Sequence, residues 1–136
     1  MLDKAVLVVD DDGDICDLYA AIFQAAGLSV RCVTTRAGAI AAGRRPACVV
    51  LDWELPDGCG REVAQALHRR WGPALPIILV TGAALQTADV AAADATRLLG
   101  KPFEPDEVVR AVRDAVDRSR PRRRVSRSSS PLLRAS

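Results

Sequence analysis

Apolar residues fall in short unbroken runs: Ala5 to Val9, Ala47 to Leu51 and Ile77 to Val80 are apolar at every position rather than at every second one. A strand with one wet face alternates with period two, so unbroken runs predict strands buried on both faces, as in a parallel sheet covered by helices. Between the first two runs, Ile15, Leu18, Tyr19, Ile22 and Phe23 follow the i, i+3, i+4, i+7, i+8 spacing of a one-sided apolar helix, which Gly27 can end. Ser29 to Val33 predicts a short strand, and Thr35 can cap an Ala-rich helix that Gly43 to Pro46 breaks. A helix from about Arg61 to Trp71 turns Val63 and Leu67 inward and carries Arg69 and Arg70 in its last turn, where cations complement the dipole. Gly72 and Pro73 stop it. The last helix begins at Pro105, with Asp106 and Glu107 at its positive end and Val108, Val109, Val112 and Val116 facing inward. Between Gly82 and Thr96 only Leu85 and Val90 are large and apolar, so a helix there is short and poorly anchored. Strands alternating with helices specify an α/β fold: a five-stranded parallel sheet, doubly wound, with right-handed crossovers.

The apolar runs end on polar chemistry. Asp10 and Asp11 follow the first, Asp52 the second and Thr81 the third, while Lys101 follows Leu98 and Leu99. The carboxyl edges of strands in an open parallel sheet line its ligand crevice, so these side chains converge on one small site. Carboxylate oxygens suit a magnesium ion, and a hydroxyl and an ammonium can hold the oxygens of a transferring phosphoryl group. The pattern points to a phosphoryl acceptor. Clustered carboxylates repel one another, so Asp10, Asp11 and Asp52 together are better explained by a cation than by structure alone. Asp12 and Asp14 instead suit the start of the first helix, as cap and as first-turn charge. Trp53, Trp71 and His68 read as structural or surface residues.

At 136 residues and 49% apolar content, the chain has material for one domain with a real core. Aromatic residues make up only 4%, so Val, Leu, Ile and Ala must fill that core, with the two Trp residues outside it. No apolar run approaches the roughly 18 residues that span a membrane, and Met-Leu-Asp-Lys opens the chain without a secretory pattern, so a cytoplasmic protein is expected. Cys16, Cys32, Cys48 and Cys59 include no C-x-x-C pair, and His68 is the single histidine. They are expected to be reduced thiols, without a disulfide framework, although Cys59 in its Gly-rich loop could be exposed and oxidisable. The net charge of +2 hides a division: residues 1–117 carry 12 basic and 17 acidic side chains, a net −5, and residues 118–136 carry seven Arg and no acid. The reading is therefore one folded domain over 1–118 and a basic, disordered tail over 119–136. Such a tail can reach nucleic acid by releasing counterions, but without aromatics or a fold a silent, solvated extension is favoured.

Val8-Val9-Asp10-Asp11-Asp12, Leu51-Asp52-x-x-Leu55-Pro56-Asp57-Gly58, Val80-Thr81-Gly82 and Lys101-Pro102-Phe103, in this order and spacing, resemble the receiver domain of bacterial response regulators over roughly residues 3–118. The resemblance implies a CheY-like, flavodoxin-like (βα)5 sandwich with strand order 2-1-3-4-5. It implies that Asp52 attacks a phosphohistidine on a sensor histidine kinase or histidine phosphotransfer protein and forms an acyl phosphate. Asp10, Asp11, Asp52 and the backbone carbonyl of Glu54 would hold Mg2+, Lys101 and Thr81 would contact the phosphoryl oxygens, and Lys101-Pro102 would be a cis peptide. Thr81 would also be the conformational sensor. Leu98 stands where the family usually places an aromatic residue that moves with that threonine, and the stretch from Thr81 to Lys101 is short for the family. Glu54 and Ala83 lie near the path of attacking water, where side chains set the lifetime of the phosphoryl group.

The leading expectation is a stand-alone receiver, a switch rather than an enzyme, that meets a downstream protein through its last strand and helix, or a phosphate shuttle using the same chemistry. A pseudo-receiver that binds without phosphorylation draws support from Leu98 and the short stretch before Lys101. A dehalogenase-like phosphatase would use Asp10-x-Asp12, Thr81 and a later Lys, but Asp14 stands where that family needs Thr or Val, and Asp52 would go unexplained.

Overall fold

The computed structural model describes residues 5–82, 91 and 93–119. Its elements are β1 (Val6–Val9), α1 (Gly13–Ala25), β2 (Val30–Val33), α2 (Arg36–Ile40), β3 (Cys48–Asp52), a two-residue hairpin of β4 (Glu54–Leu55) and β5 (Gly58–Cys59), α3 (Gly60–Trp71), β6 (Ile77–Thr81), β7 (Arg97–Gly100) and α4 (Pro105–Ser119). The five long strands form one parallel sheet in the order β2-β1-β3-β6-β7. With the hairpin strands set aside, this is the expected 2-1-3-4-5 order. The expected weak helix around Leu85 and Val90, the side chain at Ala83 and the tail beyond Ser119 lie outside the described residues.

The unbroken apolar runs serve two cores. Val6 and Val8, Cys48 and Val50, and Ile78 and Val80 pack on one face against α1 and α4. Leu7 and Val9, Val49 and Leu51, and Ile77 and Leu79 pack on the other against α2 and α3. Successive strand residues point to opposite faces, so both parities must be apolar. Helix α1 buries Cys16, Tyr19 and Phe23, and Ile15 and Ile22 pack beside them, but Leu18 is 48% exposed, contrary to its place in the expected apolar stripe. The buried line is centred on 16, 19 and 23, an i, i+3, i+7 row that a side chain at 18 does not join. At its end Gly27, with φ +80°, lets its own N–H reach the Gln24 carbonyl and the Leu28 N–H reach that of Phe23.

Two further expectations are corrected. Trp53 and Trp71 are not outside the core: both are half-buried and pack against its α3 side. The four cysteines are not all reduced thiols, because Cys16 and Cys32 are joined in a disulfide, leaving Cys48 and Cys59 free. They are 16 residues apart in sequence, but α1 lies against β2, and their Cα atoms are 6.2 Å apart, within bridging range. Cys59 is half-buried rather than exposed.

Candidate functional site

The site forms where β1, β3 and β6 end. Asp10 follows β1 and is only 2% exposed; Asp52 closes β3 at 7%, and Thr81 closes β6 at 3%. Asp11 is exposed beside them, and carboxylate oxygens of Asp10, Asp11 and Asp52 lie within 4.8 Å of one another. Lys101, after β7, brings its Nζ to 3.5 Å from both Asp10 Oδ2 and Asp52 Oδ2. It is carried there by the Thr81↔Gly100 pairing and by its own N–H, which donates to the Thr81 carbonyl at 2.9 Å. The Lys101-Pro102 peptide is cis, as expected.

Local hydrogen bonds hold these carboxylates. The Asp12 N–H donates to Asp10 Oδ1 at 3.0 Å, and the Glu54 N–H donates to Asp52 Oδ1 at 3.1 Å. Asp12 spends its own carboxylate on the start of α1, accepting from the N–H groups of Asp14 and Ile15. That is the capping role expected of it. Burial raises the Asp52 pKa above the ordinary carboxylate value; the Glu54 N–H and Lys101 pull it back, and Asp10 pushes it further up. Burial opposes the charge on Lys101, yet Asp52 and Asp10 outweigh it and its pKa is raised. On the α1 side the Tyr19 hydroxyl is buried without a hydrogen-bond partner among the described residues. Burial, then Asp10 and Asp52, push its pKa up, so the phenol stays protonated.

Three clustered carboxylates, those of Asp10 and Asp52 set against the Lys101 ammonium, form an acidic cradle of hard oxygen donors, and the residues present fit a magnesium ion. Two of them are buried, where unscreened repulsion between like charges is least tolerable without a cation.

Three residues that shape the site carried no readable signal for the parts they play here. A Cβ on Gly60 would stand 2.8 Å from the Asp52 carbonyl oxygen and 2.9 Å from Trp53 Cα, so only glycine lets α3 start this close to the acidic turn. Asp57 accepts from the N–H groups of Arg36 and Ala37, at 2.7 and 3.2 Å, capping α2 from the loop after β3. Arg36 in turn pairs with Glu62 at 3.2 Å. Gly60 and Asp57 stand in a loop the sequence marks as a turn; the distant backbone each meets is set by tertiary packing. Tyr19 reads in sequence only as a member of an apolar helix face.

The family model of the response regulator receiver domain matches residues 6–113. The phosphate regulon transcriptional regulatory protein PhoB of Pseudomonas aeruginosa is 32% identical over 131 residues, covering 89% of this chain. The chain spans little more than half of that relative, 55% of its length. A CheY-like receiver domain protein from Methanospirillum hungatei superposes with a TM-score of 0.76 at 26% identity, covering 86% of this chain and 96% of that one. The receiver domain of a sensor histidine kinase from Pseudomonas aeruginosa, with magnesium coordinated in its active-site cleft, gives 0.76 at 23% identity, covering 85% and 98%.

Proposed function

The chain belongs to the response regulator receiver domain family, and from that membership we propose that it is a phosphorylation-dependent switch whose acceptor is Asp52. The observation that carries this reading is the placement of buried Asp52 within 4.8 Å of Asp10 and Asp11 and 3.5 Å from Lys101. A deprotonated Asp52 oxygen attacks the phosphorus of a phosphohistidine on a histidine kinase or phosphotransfer protein; the new O–P bond forms as the P–N bond breaks and the imidazole leaves. Asp10, Asp11, Asp52 and the Glu54 backbone carbonyl would hold Mg2+, as the magnesium-bound kinase receiver invites by analogy. When bound, that ion offsets the charge which the incoming phosphoryl group adds to an already acidic cradle. Lys101 supplies a point charge to the phosphoryl oxygens and Thr81 a hydroxyl at the end of β6, where its movement reports phosphorylation to β7 and α4.

Beyond this self-modification we propose no enzymatic turnover. Residues 1–118 serve as the receiver, working in the cytoplasm, and 119–136 as a basic extension; the downstream partner is a protein that meets β7, where Leu98 is 39% exposed, and α4. Among the described residues no helix is long and apolar enough to cross a membrane. The test is intact mass after incubation with Mg2+ and a small phosphoryl donor, for the protein and for Asp52→Ala, with and without a chelator. A magnesium-dependent gain of one phosphoryl group that the variant lacks supports the acceptor. No gain, repeated with a histidine kinase as donor, rejects it and favours a pseudo-receiver.

A further inference from the structure

We propose that Cys16 and Cys32 are a redox-active pair, oxidised by hydroperoxides and reduced by low-molecular-weight thiols, that sets how firmly the acidic site holds its cation. The coupling rests on the reading of Asp10, Asp11 and Asp52 as a Mg2+ site. The disulfide joins the two elements that flank Asp10. The Asp10 N–H donates to the carbonyl of Val33, next to Cys32, at 3.1 Å. On the other side, Cys16 Sγ lies 3.5 Å from the Asp10 carbonyl oxygen, and the Cys16 N–H donates to the Asp12 carbonyl at 3.0 Å. The Asp12 N–H in turn holds Asp10 Oδ1. These hydrogen bonds around Asp10 therefore run to β2 or to the first turn of α1, and the Cys16–Cys32 bond ties those two together.

The two oxidation states differ chemically at this point. A reduced Cys16 has an S–H that can donate to the Asp10 carbonyl, whereas half of a disulfide has no proton to give. In exchange, the bond fixes α1 against β2 and pre-organises the loop that presents Asp10 and Asp11, as an outer support does for a metal ligand. Access is built in. Cys32 is exposed on β2, an edge strand, while Cys16 is buried. In oxidation the Cys32 thiol loses its proton and the thiolate takes one oxygen of hydrogen peroxide to become a sulfenic acid, expelling hydroxide that recombines with that proton as water; the Cys16 thiol sulfur then displaces the sulfenic oxygen, which leaves with the Cys16 proton as a second water, and the S–S bond closes. In reduction an external thiolate attacks Cys32 sulfur and expels the Cys16 thiolate, which takes a proton. A second external thiol releases Cys32, leaving two protein thiols and one small-molecule disulfide.

The other two cysteines supply an internal count. Cys48 is buried, with its thiol pushed up to about 12 mainly by that burial, and Cys59 opens α3 on the opposite side of the sheet. Protein treated with hydrogen peroxide, then unfolded and alkylated, should carry two labels by intact mass, against four after dithiothreitol, and Cys32→Ser should carry three in both cases. Mg2+ alone is then titrated into each state, followed by the fluorescence of Trp53, whose N–H donates to Val80 beside Asp52. The oxidised form should bind about tenfold more tightly than the reduced form, the low end for an outer support of a metal ligand. Cys32→Ser should bind like the reduced form with or without peroxide. Four labels after peroxide, or equal Mg2+ affinity in two states whose thiol counts differ, would overturn the proposal. Failure of Mg2+ to bind in both states would instead overturn the reading of the acidic cluster, and the coupling with it.

Discussion

Asp52 is buried at the expense of stability. Its raised pKa means that protonation favours the folded state: this contribution is complete at a pH below the ordinary carboxylate value and is lost as the pH rises through the raised one. Asp52→Asn should therefore melt higher than the parent at neutral pH without Mg2+, by about 1 kcal/mol after allowing for screening at the open side of the site, roughly 4 °C in Tm. Differential scanning calorimetry should show the gap closing on acidification, since protonated Asp52 and Asn are both neutral. The same titration would remove the proposed nucleophile, so phosphorylation by a small donor should slow as the pH falls through the raised Asp52 value. Tyr19 offers a second residue-level test. Its hydroxyl is buried with no partner among the described residues, so Tyr19→Phe should raise stability by about 1 kcal/mol in urea unfolding. A loss of stability there would show that the hydroxyl is satisfied in solution.

Among the elements, the loop between β3 and α3 does more than connect them. It places Asp52, caps α2 through Asp57 and admits α3 through Gly60. Gly60→Ala sets a methyl group against the Asp52 carbonyl and Trp53 backbone atoms, which cannot swing aside as a flexible side chain would. It should cost about 2 kcal/mol, within the usual range for overpacking, and should slow phosphorylation by displacing the acceptor. Asp57 is exposed, and its carboxylate is held below the ordinary range chiefly by the Arg36 N–H. Asp57→Ala should leave phosphorylation intact while amide exchange in α2 speeds up, because Thr35 then caps that five-residue helix alone, through the Gly38 N–H. If exchange in α2 were unchanged, the cap from the loop would have no energetic weight.

At the scale of the molecule, a cation held by Asp10, Asp11 and Asp52 would couple β1 to β3 through the acidic cradle. Mg2+ at about a hundred times its Kd should stabilise the fold by about 2.7 kcal/mol, reversibly on chelation, and should do markedly less for Asp52→Asn. The sheet places Asp52 at the end of β3, Thr81 at the end of β6 and Lys101 just after β7, three neighbouring strands, so a change of charge at Asp52 would reach β7 through a single strand.

The type and order of the five long strands and of the described helices, and the convergence of Asp10, Asp11, Asp52, Thr81 and Lys101, were legible in the chain, whereas the β4–β5 hairpin was not. Unbroken apolar runs admit only strands buried on both faces, and helices between such strands enforce parallel pairing with their carboxyl ends together. The capping role of Asp12 was legible too, because caps act within one turn. Other features depend on approaches between residues distant in sequence, which no local period encodes. The exposure of Leu18 was decided by which line of α1 meets α4 and the sheet. Asp57 became a helix cap, and Gly60 an obligatory glycine, through backbone brought in from other elements. Cys16 and Cys32, without any motif spacing, became a bonded pair because α1 packs on β2. Local pattern carries what a strand or helix demands of its own neighbours in sequence; packing alone selects partners across the sheet.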